Sequence, residues 1–261
     1  MTQQDPLAEP EVKEVADRVW VRQAIDNISW FDLGERAVIV DAGEEAPGLA
    51  SAVLQDLHNT LGDTQVAFLL NTHTHYDHIG LNDVFCHEYD LDVIDGRDAE
   101  VQSGEGRWFE GSRRRVRMFP AGGVHTDEDC CIHLPQNSVL FVGDLFGWGL
   151  VPANGDLTPK SVERLLNIYQ RLIDLQAETV IPGHGPSCTT AHLERWVAYF
   201  RWLCEATVEG VDKGHSDEEI MAQISPPEDM GDWWRFLDWK HENSTEKVLR
   251  LARSGWAGLD T

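Results

Sequence analysis

Five consecutive apolar residues, Val66–Leu70, run almost directly into Asn71-Thr72-His73-Thr74-His75-Tyr76-Asp77-His78. An unbroken apolar run of this length predicts a strand buried on both faces. In open α/β sheets, ligands gather at the carboxyl ends of strands. Three imidazoles and a carboxylate within six residues have little packing rationale. Imidazole and carboxylate are suitable ligands for zinc, iron or manganese. Six residues cannot readily wrap one ion with four well-angled ligands, so two ions sharing the loop is the more natural solution.

The rest of the chain is read around that strand. Val19–Val21, Ile28–Leu33 and Ala37–Val40 predict short strands separated by turn signals at Asp26-Asn27 and Gly34. Leu49, Val53, Leu57 and Leu61 recur at helical spacing, with Gly62 as the C-terminal stop. Later strands are expected over Arg114–Phe119, Cys131–Leu134, Val139–Val142 and Val180-Ile181. Thr158-Pro159 opens a helix, with Leu157 and Val162 placed as a hydrophobic staple. Leu193, Trp196, Val197, Phe200 and Cys204 mark another helix, and Ser216 to Glu219 has capping-box form. A Trp-rich helical tail is expected over Asp232 to Arg253. Strands in two batches, each followed by helices, predict two mixed sheets facing each other with helices outside. The expected organisation is a polar tail over 1–17, one domain over 18–210, and a helical extension over 211–261. Gly122-Gly123 marks a seam between two pseudo-equivalent halves.

Two adjacent ions need more ligands, and other strand ends supply candidates. His125 precedes the Cys131–Leu134 strand, Asp144 ends Val139–Val142, and His184 follows Val180-Ile181. Glycines flank all three, which lets the backbone approach closely.

Composition narrows the partners. The formal net charge is −24, from 45 acidic and 21 basic residues. Phosphates repel such a surface, so no nucleic acid and no anionic membrane is expected as the main partner. Only 5 of the basic residues are lysine, a balance that fits a salt-tolerant protein and equally a plain well-solvated acidic surface. No stretch approaches the ~18 apolar residues of a membrane helix. Met1 to Glu14 lacks the basic start and apolar run of a secretory signal, so a cytoplasmic protein is expected. The five cysteines contain no CxxC pair and are read as reduced, packed thiols.

His73-Thr74-His75-Tyr76-Asp77-His78 resembles the HxHxDH signature of the metallo-β-lactamase superfamily. Val124-His125-Thr126 is similar to its downstream histidine motif, with valine where the family has glycine. Phe141-Val142-Gly143-Asp144 and Pro182-Gly183-His184-Gly185 resemble two further motifs, and Val40-Asp41-Ala42-Gly43 resembles the first. The match spans about Val19 to His184.

The resemblance implies an αββα sandwich. It implies that His73, His75 and His125 hold one metal, that Asp77, His78 and His184 hold the second, and that Asp144 bridges them. Asp41 would orient ligands from behind. The implied cofactors are two divalent ions, zinc first, with iron or manganese as alternatives. The implied function is metal-dependent hydrolysis of a small thioester, lactone or ester by a metal-bridging hydroxide, with Asp77 as the catalytic residue. A second expectation, from the persulfide dioxygenases of the same superfamily, is a mononuclear iron enzyme using His73, His75 and Asp144. A third is a non-catalytic metal-binding scaffold. The basic pattern that anchors glutathione in a true glyoxalase II is not found.

Phe146 and Trp148, close to Asp144 in sequence, are candidates to line a pocket, and Tyr76 to donate to an oxyanion. For these, and for Trp30 and Trp233-Trp234, core packing is the plainer expectation. Arg113-Arg114-Arg115-Val116-Arg117 is either an anion attractor or, as preferred here, a run paired with acidic neighbours. The helices from Ala191 onward either cover the site or form a homodimer interface.

Overall fold

The computed structural model describes residues 10–259. Its strands are β1 Glu11–Ala16, β2 Val19–Gln23, β3 Ile28–Asp32, β4 Arg36–Val40, β5 Gln65–Leu70, β6 Asp92–Ile94, β7 Arg107–Glu110, β8 Arg115–Pro120, β9 Cys130–Leu134, β10 Val139–Gly143 and β11 Thr179–Pro182. The first six form one sheet in chain order, and the other five form a second in the order β11-β10-β9-β8-β7. Both sheets are mixed. The pairs β1 to β4 are antiparallel, whereas β4, β5 and β6 run parallel. In the second sheet only β10 and β11 are parallel.

The chain divides into two compact units. The first holds all eleven strands, and comprises residues up to Gly122, Asp127–Asp144 and Ala177–Cys188. Its strands alternate as their sequences do. Val19, Val21, Phe31, Leu33, Val38 and Val40 from one sheet share a buried cluster with Val116, Met118, Ile132, Leu134, Val139 and Phe141 from the other. The intervening Trp20, Trp30, Ala37 and Ile39 face the opposite way, into a second layer with Leu57 of α1 (Leu49–Leu61) and Phe85. Short helices α2 (Tyr76–Ile79), α3 (Asn82–Tyr89) and α4 (Ala99–Gln102) complete this unit.

The second unit comprises Gly123–Thr126, Leu145–Gln176 and residues from Thr189 onward. It contains α5 (Pro159–Asp174), α6 (Thr190–Asp212), α7 (Asp217–Gln223) and α8 (His241–Arg253). Thr158 and Ser216 cap α5 and α7 through reciprocal boxes. Tyr169 of α5 stacks on Trp196 of α6 at 4.2 Å, and Trp196 on Phe200 at 5.0 Å. The loop after Asp144 is anchored by the helices of this unit. Tyr169 Oη donates to Leu145 O (2.6 Å), Ser244 Oγ accepts from Val151 N (2.9 Å), and Lys247 Nζ donates to Val151 O and Ala153 O (3.0 and 2.7 Å). Among the described residues, no helix is long and apolar enough to cross a membrane.

Three expectations change. Of the tail expected over 1–17, Glu11–Ala16 form an edge strand, and residues 1–9 lie outside the described region. Its glutamates and lysine are the charges that keep a sheet edge from pairing further. The boundary expected at 210/211 falls inside the second unit, because α6 runs through it to Asp212. The helical tail expected over roughly Asp232 to Arg253 begins later and is interrupted. Arg235 adopts φ 55°, Phe236–Lys240 form one wide turn, and α8 starts at His241. Buried Lys240, which donates to Trp234 O (3.0 Å) and sits 4.1 Å over the Trp234 ring, fixes that turn.

The basic run engages acidic, amide and aromatic groups of the same unit. Arg113 and Arg114 meet Asp17, Arg114 also meets Asn137, and Arg115 and Arg117 lie over the Trp108 ring. All five cysteines are free of disulfides, and all but Cys86 are buried. Burial pushes the Cys204 thiol up to about 12.

Candidate metal centre

The parallel strand pairs decide where the ligands gather. In the first sheet, β4 and β5 end side by side, Val40 opposite Leu70. They release Asp41 and the His73–His78 loop next to each other. In the second sheet, β10 and β11 end with Gly143 opposite Pro182, releasing Asp144 and His184 together.

Asp41 anchors the histidine loop from behind. It stands at φ 57°, and its N–H donates to Leu70 O (3.0 Å). Its Oδ1 accepts from Thr72 N (2.7 Å), and its Oδ2 from Thr72 Oγ1 (2.8 Å) and His78 Nδ1 (3.0 Å). Thr72 Oγ1 in turn lies 3.2 Å from His73 Nδ1. Because the hydroxyl proton goes to Asp41, His73 donates to Thr72 from Nδ1. Both His73 and His78 therefore carry their lone pairs on Nε2. Asn71 ties the loop ends, donating to His78 O (3.1 Å) and accepting from Asn82 Nδ2 (2.9 Å).

The lone-pair atoms converge. His73 Nε2 lies 3.1 Å from His75 Nδ1. His78 Nε2 is 3.3 Å from Asp144 Oδ1 and makes no hydrogen bond among the described residues. His184 Nε2 is 3.3 Å from Asp144 Oδ2 and 3.5 Å from Asp77 Oδ2. Two ligands at ~2.0–2.1 Å from a tetrahedral ion are separated by ~3.3 Å. The spacings match that edge length and suit shared cations better than direct pairing. His73, His75 and Asp144 offer atoms within 4.8 Å of one another, as do Asp77, His78 and His184. Gly183 closes in behind. A Cβ there would stand 2.3 Å from Asp144 Oδ1 and 2.6 Å from His78 Cε1.

Electrostatics agree with a site built for cations. Burial disfavours charge on His78, yet Asp41 and Asp144 raise its affinity for a proton well above the ordinary range, a proton that a cation on Nε2 would displace. Burial opposes ionisation of Asp144 too, but His184 and His78 keep its carboxyl well below the usual range. His184, against burial, is pushed up to about 10 by Asp144 and Asp26. The donor set of imidazoles and carboxylates fits zinc, iron or manganese.

His125 belongs to the second unit. Its Nδ1 lies 3.1 Å from Pro152 O, and the tautomer that donates there carries its lone pair on Nε2. The short Gly123–Thr126 turn, with Gly123 at φ 98°, presents it. The other six candidates come together within the first unit.

Three supporting residues escaped the sequence reading. Asp26 Oδ1 is 3.0 Å from His184 Nδ1, which also lies 3.1 Å from Ile25 O. Asn27 Nδ2 donates to Pro182 O and Gly185 O (2.9 and 2.8 Å) and so clamps the His184 loop. Both were legible only as turn residues. Glu128 accepts from Thr74 Oγ1 at 2.5 Å, between the first two histidines, and no spacing signals it. Tyr76 is 68% exposed, against the expectation of core packing. Trp30 is fully buried, its Nε1 donating to Thr60 Oγ1 (2.8 Å).

The sequence profile of the Metallo-beta-lactamase superfamily matches residues 24–184, and the chain belongs to that superfamily. It is 32% identical over 154 residues to a hydroxyacylglutathione hydrolase of Synechococcus sp. (strain JA-3-3Ab), covering 55% of this chain and 56% of the relative. A hydroxyacylglutathione hydrolase of Rhizobium meliloti (strain 1021) is 29% identical over 164 residues, 59% of each chain. The chain thus spans a little over half the length of these curated relatives. Among solved structures, a metallo-beta-lactamase from Pontibacter korlensis matches with TM-score 0.56 and 21% identity over 73% of this chain and 98% of that one. The stereoselective inverting sec-alkylsulfatase Pisa1 from Pseudomonas sp. matches with TM-score 0.70 and 15% identity, covering 97% of this chain and 51% of that one. At these identities the structures establish the fold, the αββα sandwich expected from the sequence.

Proposed function

We propose that the chain is a metal-dependent hydrolase acting on a small thioester, lactone or ester, with thioesters foremost. The observation that carries this reading is the 3.1–3.9 Å spacing of imidazole and carboxylate atoms at the site, with Asp144 3.3 Å from His78 and His184 and 3.9 Å from His73. The thioester preference is supported by the relatives named hydroxyacylglutathione hydrolase. Within the first unit, His73, His75 and Asp144 would hold one divalent ion and Asp77, His78 and His184 a second, zinc being the metal of choice. When bound, the pair supplies a Lewis acid for the scissile carbonyl and lowers the pKa of a water toward ~7.

The chain's own residues do the rest. Asp41 and Asp26 lock the tautomers of His78 and His184, so the lone pairs are presented without reorganisation. Asp77, partly exposed at the N-terminal turn of α2, orients the attacking water and accepts its proton.

The test is a panel of thioesters, lactones, esters and phosphodiesters, assayed with zinc-loaded and chelated protein. Hydrolysis of a thioester, lactone or ester that disappears on chelation and returns with zinc is the expected result. Turnover that survives chelation, or a protein that purifies with one iron per chain and oxidises a persulfide instead, would refute the reading.

A further inference from the structure

A second recognition element lies inside the second unit. Gly147 and Leu150 pair across a tight turn, Leu150 N donating to Gly147 O at 3.3 Å. Its two central residues, Trp148 and Gly149, stand at φ 55° and 97°. Two consecutive positive φ values define a turn normally occupied by Asn-Gly. At Gly149 the choice is forced, since a Cβ would stand 2.2 Å from Phe236 Cδ2. At Trp148 it is not. A bulky residue is strained in this conformation. The turn gives no structural reason for an indole there.

The indole is buried, only 6% exposed, and its Nε1–H meets no acceptor among the described residues. A buried donor without a partner is costly. The Trp148 ring contacts Phe146 (5.4 Å), Trp233 (5.7 Å) and His192 (5.4 Å), and His192 and Trp233 are half-buried. His192 offers a second donor. It is the third residue of α6, and its Nδ1 accepts from Thr189 N (3.3 Å) in the cap of that helix. With Nδ1 used as an acceptor, a neutral ring carries its proton on Nε2. Burial lowers the basicity of His192, which keeps the ring neutral near pH 7.

From this we infer that Trp148, His192 and Trp233 form an aromatic-walled subsite that binds an uncharged carbonyl oxygen of the substrate. Trp148 Nε1–H and His192 Nε2–H are its two donors. Neutral donors set among ring faces suit an amide or ester carbonyl on an apolar group. A carboxylate would lose its water there without gaining a cation. The assignment rests on the hydrolase reading above, to which Trp148 is tied by lying four residues beyond Asp144. It makes Trp148 and His192 specificity residues, separate from the metal-holding set.

Two probes isolate the carbonyl: S-acetyl-N-acetylcysteamine, a thioester with an amide, and S-ethyl thioacetate, which has none. Zinc-loaded protein labelled with 15N-tryptophan is titrated with each, and Trp148→Phe assigns the indole resonance. We expect the Trp148 N–H signal to move downfield with the amide probe only. In steady-state assays, Trp148→Phe and His192→Phe should each raise KM for the amide probe relative to the plain one by about five- to tenfold. His192→Gln, which returns an N–H at the Nε2 position, should restore that ratio. A packing role would lower the melting temperature while leaving the ratio of the two KM values unmoved. An indole signal that stays still with both probes, or equal KM changes for both, overturns the assignment. If neither probe is hydrolysed by the wild-type protein, the thioesterase reading fails, and the indole titration still decides the subsite.

Discussion

Gly183 is the position at which the smallest change should do most damage. A Cβ there meets Asp144 Oδ1 at 2.3 Å and His78 Cε1 at 2.6 Å, whereas ordinary contacts lie near 3.5 Å. The backbone cannot recoil, because Gly183 N donates to Gly143 O (2.9 Å) and Gly183 O accepts from Asn27 N (2.8 Å). Its φ is not positive, so alanine brings no conformational strain. The whole cost of Gly183→Ala therefore falls on Asp144 and His78, two of the proposed metal ligands, which must retreat by about 1 Å. Displacement on that scale costs about 100-fold in rate. Loss of ligand alignment costs about 10- to 100-fold in metal affinity. Stability should fall by about 1–3 kcal/mol, the usual penalty of overpacking. Zinc affinity is measured by competition with a chromophoric chelator, kcat on the best thioester, and fold by circular dichroism. A folded Gly183→Ala protein with wild-type zinc affinity and kcat would show that Asp144 and His78 do not hold metal together.

The supporting groups make further predictions. Asp41→Asn should weaken zinc binding about 10- to 100-fold, because an amide cannot accept from both Thr72 and His78 through both of its polar atoms. Asp26→Ala should show a similar loss confined to the second of two titrated zinc equivalents, since it orients only His184. Equal affinity for both ions in that variant would refute separate ligand sets. Zinc at a thousand times its Kd adds about 4 kcal/mol. At 2–4 °C per kcal/mol this is a rise of about 8–16 °C in Tm over chelated protein by scanning calorimetry. An unchanged Tm would contradict a site built into the fold. Gly149→Ala, which drives a Cβ into Phe236, should lower Tm by several degrees with zinc stoichiometry intact.

Central strands were legible because burial on both faces leaves an unmistakable apolar run, as at Val66–Leu70 and Val139–Val142. The strands that escaped notice are β1, β6 and β7, all at or near sheet edges, where charged residues interrupt the alternation. The histidine loop stood out because several candidate ligands are crowded into one short segment. Asp26 and Glu128 did not, since each acts on a loop distant in sequence and each has an ordinary turn or surface neighbourhood. The division into units was hidden for a related reason. The second unit is assembled from three separated segments, and no linker composition marks where the chain passes from one unit to the other. Arg235 carries no helix-breaking signal of its own, so the interruption before α8 could not be read from the sequence.

The most direct test of the account is a crystal structure of the zinc-soaked chain with anomalous scattering recorded at the zinc edge. The account predicts two peaks ~3.5–4 Å apart, flanking Asp144, one against His73 and His75 and the other against Asp77, His78 and His184. A single peak that leaves Asp144 aside, or none at saturating zinc, would contradict it.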